Sequence, residues 1–200
     1  MDRVRPMLLT QVDRAFDRPG WSAEIKLDGF RATAHGIERA FVSRQGRDLN
    51  RRFPELAPVA EHFARRRALV DGEIVAFVDG VPDFEALQAR RSPVVYVAFD
   101  LLALDGATLI DRPLRERREL LAELVPTDTA LLIRSRAFPS PTALYAEAVA
   151  HNLEGIVMKD DESPYVFGPK RTRHWLKVKT PEGVRRQKIR GETWGHPSTS

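Results

Sequence analysis

Lysine is rare in this chain, and one lysine lies among residues whose chemistry could work together. The sequence has 32 Lys+Arg, of which six are lysine: Lys26, Lys159, Lys170, Lys177, Lys179 and Lys188. A desolvated lysine amine can lose its proton and act as a nucleophile, whereas a guanidinium group stays charged. Lys26 occurs within the stretch Glu24–Arg31, which also holds Asp28 and Gly29. The alternatives for Lys26 are therefore an amine nucleophile and one half of a surface cross-strand ion pair.

The hydrophobic pattern predicts the elements that hold Lys26 in place. Alternation of apolar and polar residues over 21–28 is typical of a strand with one buried face. Asp28-Gly29 is a turn signal, so we expect a hairpin with a second strand over 31–35. The most apolar run, 94–102, predicts a central strand. Residues 1–20 are expected to be mostly loop with a short helix.

The composition predicts a folded chain that stays in the cytoplasm. Its 200 residues, of which 42% are hydrophobic, are enough for one large domain or two small ones. No run approaches the ~18 apolar residues of a membrane span, and the first residues lack the apolar segment of a signal peptide. The absence of cysteine excludes disulfides and thiol catalysis.

Positive charge is concentrated near the C-terminus. The net charge of the chain is +4, but residues 170–190 carry nine Lys+Arg and one acid, Glu182. This asymmetry indicates a polyanionic partner, and a solvated basic tail is the alternative.

Six short motifs follow one another along the chain. They are KLDGFR at 26–31, SRQG at 43–46, DGE at 71–73, YVAFD at 96–100, EGIVMK at 154–159 and WLKVK at 175–179. Each is weak alone, but in this order and spacing they resemble the nucleotidyltransferase motifs of ATP-dependent DNA ligases. The start of the chain also resembles bacterial repair ligases of the ligase D/ligase C type. The resemblance implies an α+β, ATP-grasp-like adenylation domain with antiparallel sheets flanked by helices.

The resemblance assigns the nucleophile and the groups that hold the nucleoside. Lys26 would attack the α-phosphate of ATP and carry AMP. Glu24 would accept a hydrogen bond from the adenine amino group, and Arg31 would hold the ribose or the phosphates. Phe99 would stack on the adenine while Val157 packs on its other face. Considered alone, Phe99 and Val157 are better explained as core residues.

The resemblance also assigns a metal site and the phosphate contacts. Glu154 would bind Mg²⁺, with Mn²⁺ as the alternative ion, and Glu73 would contact the ribose or the metal. Lys177 and Lys179 would neutralise the triphosphate or the charge that develops in the transition state. Arg44 would contact the terminal phosphate of the nucleic acid.

The motifs end at residue 179, which suggests a division of the chain. We expect a nucleotidyltransferase domain over 1–180, and over 181–200 a basic hinge or tail. That tail is the start of a missing oligonucleotide-binding (OB) domain or a frayed terminus, since about twenty residues cannot form a five-stranded barrel. Complete ligation by this chain alone is therefore in question.

The expected function is joining of 5′-phosphate and 3′-hydroxyl ends in nicked or broken double-stranded DNA. DNA-repair proteins or a separate OB domain are further expected partners, and we expect a monomer at the bacterial nucleoid, not at a membrane. Two alternatives remain open. One is an RNA ligase or a capping-type nucleotidyltransferase, and the other is a non-catalytic module that binds DNA ends.

Overall fold

The computed structural model describes residues 5–194, with side chains described through residue 189. The strands are β1 Leu8–Gln11, β2 Trp21–Ile25, β3 Phe30–His35, β4 Ala40–Ser43, β5 Leu69–Val78, β6 Val81–Pro82, β7 Val94–Leu104, β8 Ala107–Thr108, β9 Leu132–Arg134, β10 Gly155–Asp160 and β11 Arg171–Lys179. The helices are α1 Ala57–Ala64, α2 Phe84–Ala89, α3 Leu114–Leu124, α4 Pro141–Ala150 and α5 Pro181–Trp194. None of these helices is long and apolar enough to cross a membrane.

The strands form two sheets. The larger sheet has the order β4-β3-β5-β7-β8, with β6 paired to β5 and β9 paired to β7. The smaller sheet has the order β1-β11-β10-β2. Adjacent strands are antiparallel except in the pairs β1–β11 and β7–β9, which are parallel. The predicted α+β fold with antiparallel sheets flanked by helices is confirmed.

Helices cover the outer faces of the sheets, and the inner faces meet each other. Side chains of α1 and α3 pack against the larger sheet in one apolar cluster, and α4 packs against the smaller sheet in another. A third cluster joins the two sheets, with Leu69 and Leu102 on one side and Trp175 on the other. The cleft described below lies beside this third cluster, since Trp175 and Phe99 also line one of its cavities.

The predicted hairpin at Asp28-Gly29 is wrong. β2 pairs with β10 in the smaller sheet, whereas β3 pairs with β4 and β5 in the larger one. The segment 26–29 therefore crosses between sheets. Gly29 is needed for close approach, since a Cβ atom there would lie 2.2 Å from the carbonyl oxygen of Ile74. A turn dipeptide is a local signal, and it does not determine which strands pair afterwards.

The N-terminal region also differs from the sequence-based expectation. Leu8–Gln11 forms a strand, and the part of 1–20 that the structure describes contains no helix. This strand pairs with β11, more than 160 residues away, and the short run Leu-Leu-Thr-Gln carries no alternation that predicts it. The central strand expected over 94–102 is confirmed as β7, which lies between β5 and β8.

A helix follows the last strand. α5 begins at Pro181 and is capped by Thr180, whose Oγ1 accepts a hydrogen bond from the Gly183 amide at 3.0 Å. Thr180 also donates from its amide to the Glu154 carbonyl at 3.1 Å. Residues 191–194, for which we expected a frayed end, are helical. The remainder of that expectation, 195–200, lies outside the described residues.

Candidate active site

Two adjoining cavities lie in the cleft between the sheets. The inner one, about 60 Å³, is walled by Phe99, Val157 and Trp175. The outer one, about 820 Å³, is open to solvent and lined by several cations. Lys26 lines both cavities and so marks the junction between them. We call the two cavities the inner slot and the outer basin.

Neighbouring strands of the smaller sheet bring four predicted residues into register. Glu24 on β2 lies opposite Val157 on β10, and Val157 lies opposite Lys177 on β11. Two residues along, the Lys26 amide donates to the carbonyl of Gly155 at 2.9 Å, which continues the β2–β10 ladder past the end of β2. Since side chains alternate along a strand, residues two apart on β2 share one face, which explains why Glu24 and Lys26 both reach the cleft.

Lys26 is held by Glu154. Its Nζ lies 2.8 Å from Oε2 of Glu154 and 3.4 Å from the carbonyl oxygen of Leu27. The side chain of Lys26 is 20% exposed, so the amine is reachable from the outer basin. An ammonium group beside a carboxylate is a stable resting state, and a bound cation at Glu154 would release the amine.

Glu154 carries a second ammonium group. Its Oε1 lies 3.2 Å from Nζ of Lys179, the residue that ends β11. Lys179 Nζ also donates to Oε1 of Gln187 on α5 at 2.8 Å. Glu154 therefore links the predicted nucleophile to the last strand and, through Lys179, to the helix that follows.

Glu73 lies opposite Arg31 across the β3–β5 pair and lines both cavities. Burial raises the pKa of Glu73 to about 7, although Lys26 and Arg31 partly counteract the rise. One of its oxygens accepts a hydrogen bond from the Gly29 amide at 3.1 Å. Unlike its neighbour Asp71, which is fully buried, Glu73 thus faces the cleft.

The chemistry of these carboxylates is compatible with magnesium. Within the described residues no group of three or more His, Cys, Asp or Glu side chains could hold a metal ion. Mg²⁺, however, is commonly held by one or two carboxylates together with waters and substrate phosphates. Glu154 and Glu73 supply two such carboxylates, so the donor set fits Mg²⁺ bound with a nucleotide and does not fit a metal bound by protein alone.

Arg31 is fixed at the mouth of the inner slot. Its Nε and Nη2 donate to the two oxygens of Asp71 at 2.7 and 2.6 Å, a forked contact. The guanidinium carbon lies 4.8 Å from the centre of the Phe99 ring. Tyr165 donates to Asp71 at 2.5 Å. Asp71 is not an exposed strand charge, because its side chain is 0% exposed.

The aromatic wall of the slot consists of Phe99 and Trp175. Their ring centroids are 5.9 Å apart in an edge-to-face arrangement. Trp175 is buried, and its indole Nε1 has no hydrogen-bond partner among the described residues. Phe99 and Val157 are partly buried and line the slot, so they are not purely core residues.

Glu24 lies at the closed end of the slot in a buried ionic cluster. Its Oε1 accepts from Lys159 at 2.8 Å and from Arg118 at 2.6 Å, and its Oε2 accepts from Ser135 at 2.7 Å. Burial raises the pKa of Glu24, but Lys159 and Arg118 outweigh this and lower it below its ordinary value. Burial in turn lowers the pKa of Lys159 to about 8.

Sequence reasoning missed most of this cluster. Arg118 and Ser135 are 94 and 111 residues from Glu24 and belong to no motif. Lys159 was conspicuous as one of six lysines in a chain of 32 Lys+Arg, and this rarity was the available signal. No local pattern indicates that α3 and the residue after β9 meet at the end of β2.

Cations line the outer basin. Arg44 and Lys177, both predicted phosphate contacts, lie there with Arg5 and Arg171. Partial burial lowers the pKa of Lys177, and the neighbouring Lys26, Lys179 and Arg171 lower it further. Such mutual repulsion between cations would be relieved by a bound polyanion.

The structure thus gathers the predicted site residues at one cleft. The inner slot is lined by Glu24, Phe99 and Val157. The outer basin is lined by Arg44 and Lys177. Three residues line both cavities: Lys26, Arg31 and Glu73. Glu154 and Lys179 join them through the ion pairs to Lys26 and to each other. These are the residues that the resemblance to the nucleotidyltransferase motifs singled out.

The family follows from comparison with known sequences. The family model described as ATP dependent DNA ligase domain matches residues 6–179, and the chain belongs to this family. The DNA ligase-like protein LigB from the SPbeta prophage of Bacillus subtilis is 32% identical, over 88% of this chain and 67% of LigB. The multifunctional non-homologous end joining DNA repair protein LigD of Mycobacterium tuberculosis is 35% identical, over 89% of this chain and 24% of LigD.

Comparison with solved structures gives the same family. The crystal structure of the ligase domain of M. tuberculosis LigD matches with a TM-score of 0.79 and 34% identity, over 89% of this chain and 60% of that domain. A mycobacterial DNA ligase D complexed with ATP and MES matches equally well. An archaeal ATP-dependent RNA ligase, at 17% identity and a TM-score of 0.60, shares the fold alone. The chain is thus an ATP-dependent DNA ligase catalytic domain, and the RNA ligase and capping alternatives are not favoured.

Proposed function

We propose that Lys26 takes AMP from ATP as a covalent lysyl-AMP and that the AMP then passes to a DNA 5′-phosphate. The observation that carries the proposal is the position of Lys26, at the junction of an apolar slot and a basin lined by cations. A nucleoside triphosphate has a flat base at one end and a polyanion at the other. Placed with its base in the slot and its outer phosphates in the basin, ATP would present the α-phosphate to Lys26.

In the first step the neutral amine of Lys26 attacks the α-phosphorus of ATP. A nitrogen–phosphorus bond forms, the bond to the β-phosphate bridging oxygen breaks, and pyrophosphate leaves. The amine nitrogen gives up a proton to solvent. The pair with Glu154 at 2.8 Å holds the ammonium group of Lys26 in its resting position. A cation held by Glu154 would favour loss of one proton from this ammonium group to solvent, which leaves the nitrogen lone pair available for attack.

Glu154 and Glu73 are the proposed carboxylate ligands of Mg²⁺, with Mn²⁺ as a substitute. When bound, the ion would neutralise phosphate charge and favour departure of pyrophosphate. Lys177 and Lys179 add cationic donors for the same phosphates. The support for this assignment is that both lysines lie within the cluster of charges around Glu154.

The remaining predicted residues hold the nucleoside and the DNA end. Phe99 and Val157 line the slot and would pack on the two faces of the adenine base. Glu24 provides a polar group in the same slot. Arg31, already fixed by Asp71 at the mouth of the slot, contacts the ribose or the phosphates. Arg44 in the basin receives the DNA 5′-phosphate.

The chain covers 67% of LigB and 24% of LigD. Sealing of DNA is an activity of the whole protein, and it is proposed here as the step that follows adenylation. The AMP-activated 5′-phosphate would be attacked by a 3′-hydroxyl, which releases AMP and forms the phosphodiester. The basic segment 170–190, +8 by sequence, is the proposed contact to the duplex. We take 1–180 as the nucleotidyltransferase domain and 181–200 as a basic hinge or tail. A monomer acting at the nucleoid in the bacterial cytoplasm, with repair proteins as partners, is the expected setting.

Intact-protein mass spectrometry after incubation with ATP and Mg²⁺ tests the first step. We expect the wild-type protein to gain the mass of one AMP, and the gain to be lost on addition of pyrophosphate. Lys26→Ala removes the nucleophile and should abolish the gain entirely. Arg91→Ala, which removes an exposed cation after α2, is the matched control and should retain it.

Three results would contradict the proposal. No gain in the wild-type protein would favour a non-catalytic module that binds DNA ends. A gain that persists in Lys26→Ala would place the nucleophile elsewhere. Preferential labelling by GTP would favour a capping-type enzyme.

A further inference from the structure

The carboxylate of Glu24 is hydrogen-bonded to a serine that also lines the inner slot. Its side chain is 4% exposed, and both oxygens already have partners: Lys159 and Arg118 on Oε1, Ser135 on Oε2. Arg118 is itself fixed by Asp161 at 2.6 Å. Glu24 and Ser135 both line the inner slot, so a base placed there can meet the serine hydroxyl as well as the carboxylate.

Among the partners of Glu24, Ser135 has an oxygen that can accept a further hydrogen bond. It follows directly after β9 and lines the inner slot. Its amide donates to the carbonyl of Ala98 on β7 at 2.8 Å, so its backbone position is fixed by the larger sheet. Its hydroxyl bridges from there to Glu24 in the smaller sheet, at 2.7 Å. Ser135 thus spans the closed end of the slot.

The charge state of Glu24 determines the direction of this hydrogen bond. Two cations within 2.8 Å keep Glu24 ionised, and an ionised carboxylate only accepts hydrogen bonds. The hydroxyl of Ser135 must therefore donate its single proton to Glu24. Its oxygen keeps two lone pairs, so towards the slot Ser135 presents an acceptor and no donor.

The other donor at this end of the slot is already engaged. Nζ of Lys159 donates to Glu24 and lies over the rings of Trp175 and Phe99, 4.0 and 4.6 Å from their centroids. Lys159 is 2% exposed. Its ammonium group is thus turned to the carboxylate and the rings, and it offers little to a base edge.

An acceptor at this point distinguishes the two purines. Adenine carries an exocyclic amino group, a donor, where guanine carries a carbonyl oxygen. We propose that Ser135 is a specificity-determining residue whose hydroxyl oxygen, oriented by Glu24, accepts a hydrogen bond from the adenine amino group. This inference rests on the proposed function for the identity of the nucleotide, and it assigns the discrimination against GTP to a residue outside the motifs.

Binding of ATP and of purine riboside triphosphate, which lacks the amino group, tests the inference. Affinities are measured without divalent ions, so that no covalent step intervenes, from the fluorescence of Trp175 and the other tryptophans. We expect the wild-type protein to prefer ATP by roughly 10-fold, the worth of one hydrogen bond to an oriented acceptor. Ser135→Ala should weaken ATP binding by about the same factor and leave purine riboside triphosphate within about 2-fold. The control Ser92→Ala lies between α2 and β7 and should change neither.

The possible results separate the two hypotheses. Equal loss of affinity for both nucleotides in Ser135→Ala would overturn the inference and leave Ser135 a structural support for Glu24. No preference for ATP in the wild-type protein would overturn it as well. Either result leaves the mass gain at Lys26 unaffected, whereas absence of that mass gain contradicts the proposed function and not the binding preference.

Discussion

Replacement of Gly183 by alanine tests how tightly α5 is tied to the active site. Gly183 lies in the first turn of α5 and is buried against the main chain of Glu154. A Cβ atom at this position would lie 2.0 Å from the carbonyl oxygen of Glu154 and 2.8 Å from its carbonyl carbon. Both contacts are to backbone, which cannot rotate away as a side chain can.

The size of the effect follows from this distance. Cβ atoms in proteins essentially never lie within 3.0 Å of another heavy atom, so the start of α5 and the Glu154 main chain must separate by about 1 Å. Alanine within a helix would otherwise stabilise it by about 0.5–1 kcal/mol, and overpacking costs about 1–3 kcal/mol. We therefore expect Gly183→Ala to lower the free energy of unfolding by about 1–2 kcal/mol.

The same displacement should reach the nucleophile. Glu154 holds Lys26 at 2.8 Å and Lys179 at 3.2 Å, so a shift of its backbone misplaces both ammonium groups. A misplacement of about 1 Å commonly costs about 100-fold in rate, and we expect AMP transfer to Lys26 to slow by about 10- to 100-fold. Affinity for ATP should change much less, because the inner slot does not contain Glu154.

Urea unfolding and single-turnover adenylation measure the two effects. Val184→Ala, which changes the neighbouring and 41% exposed side chain of the same helix, is the control and should leave the rate unchanged. A Gly183→Ala protein that is more stable than wild type would show that helix propensity dominates and that α5 is free to move. Normal stability with a normal rate would refute the coupling altogether.

Two further predictions concern buried charges away from the slot. Arg117→Leu leaves Asp100 buried without its forked pair at 2.8 Å, so the free energy of unfolding should fall by about 3–5 kcal/mol. The double variant Arg117→Leu/Asp100→Leu removes both charges and should recover most of this loss. A double variant that recovers no stability would contradict the explanation. Burial lowers the pKa of His35 below its ordinary 6.5, an effect that Glu38 partly opposes, so the unfolded chain gains a proton first as pH falls. Stability measured by urea should therefore drop below about pH 6.5, and His35→Gln should show a smaller drop; an unchanged drop would contradict this.

The sequence alone predicted the chemistry. Lysine is scarce in a chain that otherwise uses arginine, and the motifs around Lys26, Glu73, Glu154 and Lys177 follow one another in a fixed order. The α+β class and the central strand β7 also followed from local patterns, because periodicity and apolar runs are properties of short segments. These features are encoded by residues close together in sequence, and the structure confirms the fold class and β7.

Tertiary structure alone decided which elements meet. Asp28-Gly29 turns the chain without forming a hairpin, because β2 has a better partner in β10. Ser135 and Arg118 reach Glu24 across 111 and 94 residues. Pairing between distant strands depends on the packing of the whole domain, and no local pattern specifies it. The sequence predicts that Lys26 is the nucleophile, and only the packing of the two sheets determined what lies beside it.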